Sequence, residues 1–377
     1  MNEYKKKMTL RDFITKPAVL SILSALLCIL IGLIVGYIAL LLINPRGATN
    51  AIITILKNYF TYPSVQAQLK YLGNTLVKAA PLLMCALSIQ FCYKAGLFNI
   101  GAAGQYVAGA GAALFCALSL HMHWSLCLIA AVIAGGVFGI IVGLLKAYLN
   151  VNEVISGIML NWIGLYTVNM MLTGVKETAS PYTVTLASTN PSALLPSLGL
   201  DKLFSNNKYV TIAIPLAIII AVIIKMILSK TVFGYEIMAT GMSPDAARYC
   251  GMKEKRNIIL SLFIGGALAG CGAAFLFLTG YEQWSVTQSS VPSMGFNGIA
   301  ATFLGGLDPI GTVFASYFIQ HITSGGSYLD KNIYPSQISD FISAIIIYLC
   351  GFVLFFKLYI KGRLKGTPDK LGKGGDR

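Results

Sequence analysis

Charged residues are scarce in this sequence. Asp, Glu, Lys and Arg make up 11% of its 377 residues, about half the fraction found in soluble domains. Hydrophobic residues make up 56%, and the mean hydropathy is +0.73. These values exclude an ordinary soluble domain and predict an integral membrane protein.

The sequence also contains few residue patterns that could form an enzyme active site. Its eight cysteines show no C-x-x-C spacing and most lie within apolar runs, so neither a zinc site nor a disulfide framework is expected. His121 and His123 offer at most two metal ligands, fewer than the three or four of a zinc site. The tail segment 371–374, Leu-Gly-Lys-Gly, lacks the upstream Gly and the Ser or Thr of a nucleotide-binding loop. We therefore expect no catalytic residue, no bound metal and no cofactor in this chain.

Long apolar runs recur along the chain. An α-helix of about 20 apolar residues spans a bilayer, and the runs predict an all-α polytopic membrane protein with about ten transmembrane segments. The eighth and ninth are short, so they form either two crossings or one re-entrant hairpin. Around a transmembrane domain at 18–360 we expect an N-terminal segment, 1–17, and a basic tail, 361–377. The predicted segments are 18–43, 72–93, 97–118, 124–149, 153–173, 208–228, 258–280, 294–306, 309–325 and 337–359.

Basic residues are distributed unevenly between the two sides of these segments. With the N-terminus inside, 20 of the 28 Lys and Arg residues lie on the cytoplasmic side, which is the positive-inside pattern. Both termini are therefore predicted to be cytoplasmic. The net charge of +14 follows from this topology, so we expect contact with membrane lipid and none with nucleic acid.

A polar segment at 234–257 interrupts the apolar runs on the predicted cytoplasmic side. Ser243 is a helix N-cap, Pro244 suits the first helical position, and Asp245 suits the first turn. Gly251 is placed to end the short helix that follows. The segment is therefore either a docking helix for a partner or a solvated loop, and composition alone does not choose between them.

Uncharged amides are the informative polar groups within the spans, because each requires a hydrogen-bond partner in hydrocarbon. They suit the pathway of a neutral polar solute, and they equally suit contacts that hold helices together. No span carries the central carboxylate or arginine array of a proton relay or voltage sensor. The energy source is therefore expected outside this chain, with a self-sufficient secondary transporter as the less favoured alternative. The candidate pathway residues are Asn99, Gln105, Asn161 and Asn297.

A short internal echo relates the two halves of the chain. Residues 98–101, Phe-Asn-Ile-Gly, open the third predicted span, and residues 296–299, Phe-Asn-Gly-Ile, open the eighth. The offset is an odd number of spans, so a repeated half would be inverted, as in many transporters. Chance similarity in Gly- and Ala-rich helices explains so short an echo equally well.

Several segments together resemble a known family. Read in order along the chain, they are similar to permease subunits of ATP-binding cassette (ABC) importers of the branched-chain amino acid and simple-sugar class, and above all to nucleoside and simple-sugar permeases. The resemblance covers about residues 72–360. It rests on segments 94–105, 151–161, 234–251 and 295–309.

The resemblance implies a ten-helix fold with inverted halves. It implies a bacterial plasma-membrane subunit that moves nucleosides inward, or alternatively simple sugars or another small polar solute. It also implies three protein partners: a homologous second permease, an ATPase with two nucleotide-binding domains that hydrolyses ATP, and an extracellular substrate-binding lipoprotein. Residues 229–257 would contain the cytoplasmic coupling helix that contacts the ATPase, although Met238 stands where many relatives carry Arg. The matching coupling positions are Gly234, Glu236, Gly241, Pro244, Asp245, Ala246, Ala247, Arg248 and Gly251.

Overall fold

The structure is a computed structural model that describes residues 17–329, 333–334, 341–342, 344–345, 348–349 and 352–365. The predicted all-α class is confirmed for these residues. Single helical turns at 58–61, 173–175, 186–189, 191–193, 200–203 and 326–328 lie between the longer helices. Those helices are α1 (Pro17–Ile43), α2 (Ala48–Lys57), α3 (Val65–Lys94), α4 (Ala102–Leu118), α5 (Trp124–Leu149), α6 (Glu153–Leu172), α7 (Ala213–Lys230), α8 (Val232–Met242), α9 (Pro244–Tyr249), α10 (Glu254–Phe277), α11 (Ser293–Leu304), α12 (Pro309–Gly325) and α13 (Val353–Lys365).

Six of the helices are long and apolar enough to cross a membrane, so the chain is a multi-pass membrane protein. The six lie within α1, α3, α5, α6, α7 and α10, with α6 extended by the turn at 173–175. The predicted number of ten is not confirmed, because α4, α11 and α12 have 17, 12 and 17 residues. Much of the tenth predicted span, 337–359, lies outside the described residues, as do 1–16 and 366–377.

The structure differs from the sequence prediction between the first two spans. The predicted loop at 44–71 contains α2 and the beginning of α3. Helix α2 forms because Ala48, Ala51 and Ile55 are spaced to share one face, and all three are buried. Helix α3 begins after its N-cap Ser64, whose Oγ accepts a hydrogen bond from the backbone N–H of Ala67 at 3.2 Å. Because the first residues of α3 are partly polar, a search for apolar runs did not detect the beginning of this helix.

Helix α10 is the central element of the larger core and packs against α3, α4 and α5. The four-residue spacing of Gly135 and Gly139 in α5 predicts close helix approach, and the structure confirms it. A Cβ atom at Gly135 would overlap the carbonyl oxygen of Gly266. One at Gly139 would overlap the carbonyl oxygen of Leu262. A smaller core joins parts of α1, α2, α3, α11 and α12.

The bundle has two ends that matter for function. Helices α8 and α9 lie beside the first residue of α10, and we name this the α9 end. Helix α10 then runs to Phe277, which lines a cavity at what we name the cavity end. Helix α11 begins at this cavity and is 12 residues long, or about 18 Å. The two segments of the sequence echo occupy different places, since 98–101 precede α4 and 296–299 lie inside α11.

Candidate functional site

The short helix predicted within 234–257 is confirmed as α9. Ser243 Oγ accepts a hydrogen bond from the backbone N–H of Ala246 at 3.2 Å, and Pro244 occupies the first turn. At the other end Gly251 has φ +82°. There the N–H of Met252 donates to the carbonyl of Ala247 at 3.0 Å, and the N–H of Gly251 donates to the carbonyl of Arg248 at 2.9 Å. This pair of bonds is the Schellman motif, which requires the left-handed conformation that glycine adopts readily.

Helix α8 is held against its neighbours by backbone contacts at two glycines. A Cβ atom at Gly241 would overlap the carbonyl oxygen of Lys94 and lie 2.7 Å from the backbone nitrogen of Gly96. A Cβ atom at Gly234 would overlap the carbonyl oxygen of Ile227 in α7. No larger residue fits either position without moving a helix. Helix α8 is therefore in direct contact with the end of α3 and with α7.

Polar contacts tie α8 to α10 as well. Arg256 forms an ion pair with Glu236, with Nη2 3.1 Å from Oε2. Asn257 Nδ2 donates to Thr240 Oγ1 at 3.0 Å, and both side chains are buried. Glu236, a predicted coupling position, thus has a structural partner within the chain. Helix α8 thus contacts α3, α7 and α10.

The outward surface of α9 combines charge with exposed apolar side chains. Pro244, Asp245, Ala246 and Arg248 are exposed, whereas Ala247 is buried against the bundle. Met242 and Tyr249, on either side of these residues, are 89% and 92% exposed. Sequence reasoning missed these two, although large apolar residues at the edges of a polar segment are a signal for a contact surface.

Two of the four predicted pathway amides hydrogen-bond to each other beside α3. Asn99 Nδ2 donates to Gln105 Oε1 at 2.8 Å, and Gln105 Nε2 donates back to Asn99 Oδ1 at 3.2 Å. Asn99 Nδ2 also donates to Ser88 Oγ at 3.2 Å. Asn99 and Gln105 are 3% and 1% exposed. The pair closes the turn between α3 and α4 and does not face the cavity.

Asn161 joins α6 to the beginning of α4. Its Oδ1 accepts a hydrogen bond from the backbone N–H of Gly104 at 2.7 Å, and its Nδ2 donates to the carbonyl of Ile100 at 3.1 Å. The absence of a side chain at Gly104 permits this contact, because a Cβ atom there would lie 2.7 Å from the Asn161 Cα. In this conformation Asn161 therefore connects two helices.

Asn297, the fourth predicted residue, lines a cavity of about 470 Å³ at the cavity end. This cavity is mostly polar, and Lys78 and Glu282 form an ion pair within it, with Nζ 2.9 Å from Oε1. Tyr106 and Trp284 give it an aromatic wall. Its other polar lining residues include Gln283, Gln288, Ser290, Ser293, Gln320 and Thr323.

Sequence reasoning missed the ion pair. Lys78 could have been singled out from the sequence, because a charged residue inside a predicted span is a candidate functional residue. Its partner Glu282 lies in a loop and became recognisable only through the fold. Among the residues that the structure describes, no group of three or more His, Cys, Asp or Glu side chains is arranged to hold a metal ion.

The helical bundle matches a known family over most of its length. A family model described as "Branched-chain amino acid transport system / permease component" matches residues 71–351. The chain belongs to this family. The predicted permease class is therefore confirmed, and α3 to α12 all lie within or overlap the matched residues.

Curated members of the permease class align over most of their length. A nucleoside ABC transporter permease of Lactococcus lactis, NupB, is 35% identical over 74% of this chain and 78% of its own. A guanosine ABC transporter permease of Bacillus subtilis, NupP, is 31% identical over 91% and 97%. A glucose ABC transporter permease of Haloferax volcanii is 28% identical over 92% of each chain. A second guanosine permease of Bacillus subtilis, NupQ, and a second nucleoside permease of Lactococcus lactis, NupC, also match.

Proposed function

We propose that this permease subunit moves nucleosides inward across a bacterial plasma membrane as part of an ABC importer. The observation that carries the proposal is the α9 surface: an exposed helix whose supporting helix contacts α3, α7 and α10. The names of the relatives NupB and NupP favour nucleosides as the cargo. A sugar is the alternative, for which the glucose permease of Haloferax volcanii is the precedent.

The chain is proposed to work beside a homologous second permease. Two relatives occur in Bacillus subtilis and two in Lactococcus lactis, which fits paired permeases in one importer. ATP hydrolysis is assigned to a separate ATPase with two nucleotide-binding domains, and solute delivery to an extracellular binding lipoprotein. The positive-inside pattern supports cytoplasmic termini and a cytoplasmic α9 end.

The α9 surface is the proposed contact with the ATPase. Asp245 and Arg248 supply charge to this surface. Met242 and Tyr249 supply exposed apolar area. Protein–protein interfaces combine an apolar centre with a polar rim in the same way. Closure of the ATPase dimer would displace α9. Helix α8 would transmit that displacement because its backbone is in direct contact with neighbouring backbones at Gly234 and Gly241. Packed helices switch between discrete arrangements, so the displacement would change which side of the membrane the pathway opens to.

A double substitution, Asp245→Ala with Arg248→Ala, tests the docking proposal. We expect the ATPase to be lost from pull-downs and labelled guanosine uptake to fall to background, while the permease stays folded in the membrane. The matched control is Asp201→Ala with Lys202→Ala, an acid and a base in the turn at 200–203. Pull-down and uptake equal to the unmodified complex in the Asp245/Arg248 variant would disprove docking through α9.

The cargo is tested with the unmodified complex reconstituted in liposomes. We expect labelled guanosine to accumulate only when ATP and the binding lipoprotein are both present. Labelled glucose supplied in the same way distinguishes the sugar alternative. Accumulation driven by an ion gradient, with this chain alone, would instead identify a secondary transporter.

A further inference from the structure

Helix α6 exposes an unusual row of side chains, which we name the α6 stripe: Met159, Trp162, Tyr166 and Met170. They are 64%, 43%, 58% and 76% exposed. Their spacing of three or four residues places them on one helix face. The rings of Trp162 and Tyr166 are nearly parallel, with centroids 6.2 Å apart and an interplanar angle of 25°. The stripe thus combines two nearly parallel aromatic rings with a flexible thioether on either side.

The depth of these rings argues against contact with lipid. Helix α6 has 20 residues, and Trp162 lies about 14 Å from its beginning, close to its midpoint. Trp and Tyr in membrane proteins favour the two interfaces, where their polar atoms reach water. Within the described part of the chain, neither the Trp162 indole N–H nor the Tyr166 hydroxyl has a protein partner. Hydrocarbon would leave both groups unsatisfied, which is costly.

Other helices show what a lipid-facing surface looks like in this protein. Helix α5 exposes Leu126, Ile129, Ile133 and Val137 along one side. Helix α7 exposes the aliphatic side chains of Ile218, Val222 and Ile223. Both surfaces have the composition expected of contact with acyl chains. The α6 stripe differs from them because it carries hydrogen-bonding aromatic groups near the middle of its helix.

Two buried amides hold the stripe in its orientation. Asn161 bonds to the beginning of α4 through Gly104 and Ile100. Two turns further along α6, Asn169 Oδ1 accepts a hydrogen bond from Trp284 Nε1 at 2.9 Å, and its Nδ2 donates to the carbonyl of Gln288 at 2.8 Å. Trp284 and Gln288 both line the cavity. The polar side of α6 therefore contacts the cavity wall, and the stripe points outward on its other side.

We propose that the α6 stripe lines the translocation pathway on the side that faces the second permease, and that Trp162 and Tyr166 stack against the planar base of a nucleoside. This inference rests on the proposed function. Stacking accepts any base, because each base offers an aromatic face. Met159 and Met170 adapt to bases of different size, since thioether side chains are flexible and polarizable. A water-containing pathway also satisfies the indole N–H and the phenol hydroxyl.

Uptake by the reconstituted four-component importer tests the stacking role. Trp162→Leu and Tyr166→Leu keep apolar volume and remove the aromatic face, so labelled guanosine uptake below saturation should fall on the order of tenfold each. Trp162→Phe and Tyr166→Phe keep a ring and should retain most of the uptake. Ile133→Leu and Val222→Leu, on the aliphatic faces, are the controls. Complex assembly is checked by size-exclusion chromatography for every variant.

Tryptophan fluorescence tests the location without requiring transport. The complex is reconstituted in lipids brominated near the middle of the acyl chain, and the quenching of Trp162 is obtained as the difference between the unmodified complex and Trp162→Phe. We expect weak quenching. Strong quenching would place Trp162 against lipid and overturn the inference, as would uptake unchanged in both Leu variants. Failure of the unmodified complex to take up guanosine would contradict the proposed cargo, whereas the quenching would still report independently where Trp162 lies.

Discussion

The two ends of the bundle are built in opposite ways. At the α9 end, Gly241 and Gly234 bring backbones into contact, and Asn257 donates to Thr240, so little space remains. At the cavity end, polar side chains surround about 470 Å³ of open volume. The difference supports the proposal that the α9 end transmits displacement and that the cavity end accommodates a solute. We therefore expect substitutions at the α9 end to reduce both stability and uptake, and substitutions at the cavity end to reduce uptake with little change in stability.

The largest effect is expected from Gly241→Ala at the α9 end. The new Cβ atom overlaps the Lys94 carbonyl, a backbone atom that cannot move aside, so α8 must shift. We expect a loss of about 3 kcal/mol in stability and no measurable uptake. Thermal unfolding of the purified complex and a guanosine uptake assay measure the two. Gly174→Ala is the control, because nothing lies within 4 Å of a Cβ atom there. If the two variants have the same stability and the same uptake, the contact between α8 and Lys94 has room for a Cβ atom, contrary to this prediction.

A smaller effect is expected from Asn161→Leu. Leucine fills a similar volume and leaves the Gly104 N–H and the Ile100 carbonyl without the partners that Asn161 provides. The expected cost is about 2 kcal/mol in stability. Thermal unfolding measures it, with Leu165→Met, a volume-conserving change in the same helix, as control. A melting temperature equal to that of the unmodified complex would show that water replaces the amide, and would favour a pathway role for Asn161.

The smallest effect on stability is expected from Asn297→Leu at the cavity end. The side chain is half-buried at the cavity wall and close to open volume, so the unfolding free energy should change by no more than about 0.5 kcal/mol. Guanosine uptake should fall severalfold, because leucine removes a hydrogen-bonding group and narrows the cavity. Initial rates at several guanosine concentrations measure this fall. Unchanged rates together with reduced stability would reverse the proposed contrast between the ends.

Local features of the fold were predictable from the sequence. The Ser243-Pro244-Asp245 start and the Gly251 end of α9 were predicted because capping depends on a few adjacent residues. The family was also predictable, since its motifs are spread over most of the matched residues. The predicted limits of the first span and of α5 agree with the helix ends in the structure to about one residue, because a long apolar run has clear ends in the sequence.

The use of each polar side chain was harder to predict. Asn161 and Asn297 are the same residue type in similar apolar surroundings, yet one bonds to a neighbouring helix and the other faces open volume. The sequence does not specify which helix face meets a neighbour, because packing decides it. The ion pair between Lys78 and Glu282 was not predicted for a similar reason, since the two residues are distant in the chain and meet only in the fold.

The two amides on the inner side of α6 also limit how the protein can move. Rolling α6 about its own axis would break the bonds of Asn161 and Asn169 at once. Tilting α6 together with the beginning of α4 and the segment that carries Trp284 would break none of them. If the importer alternates between outward-open and inward-open states, we therefore expect this unit to tilt as a rigid body, because rotation of α6 would cost the hydrogen bonds of both amides.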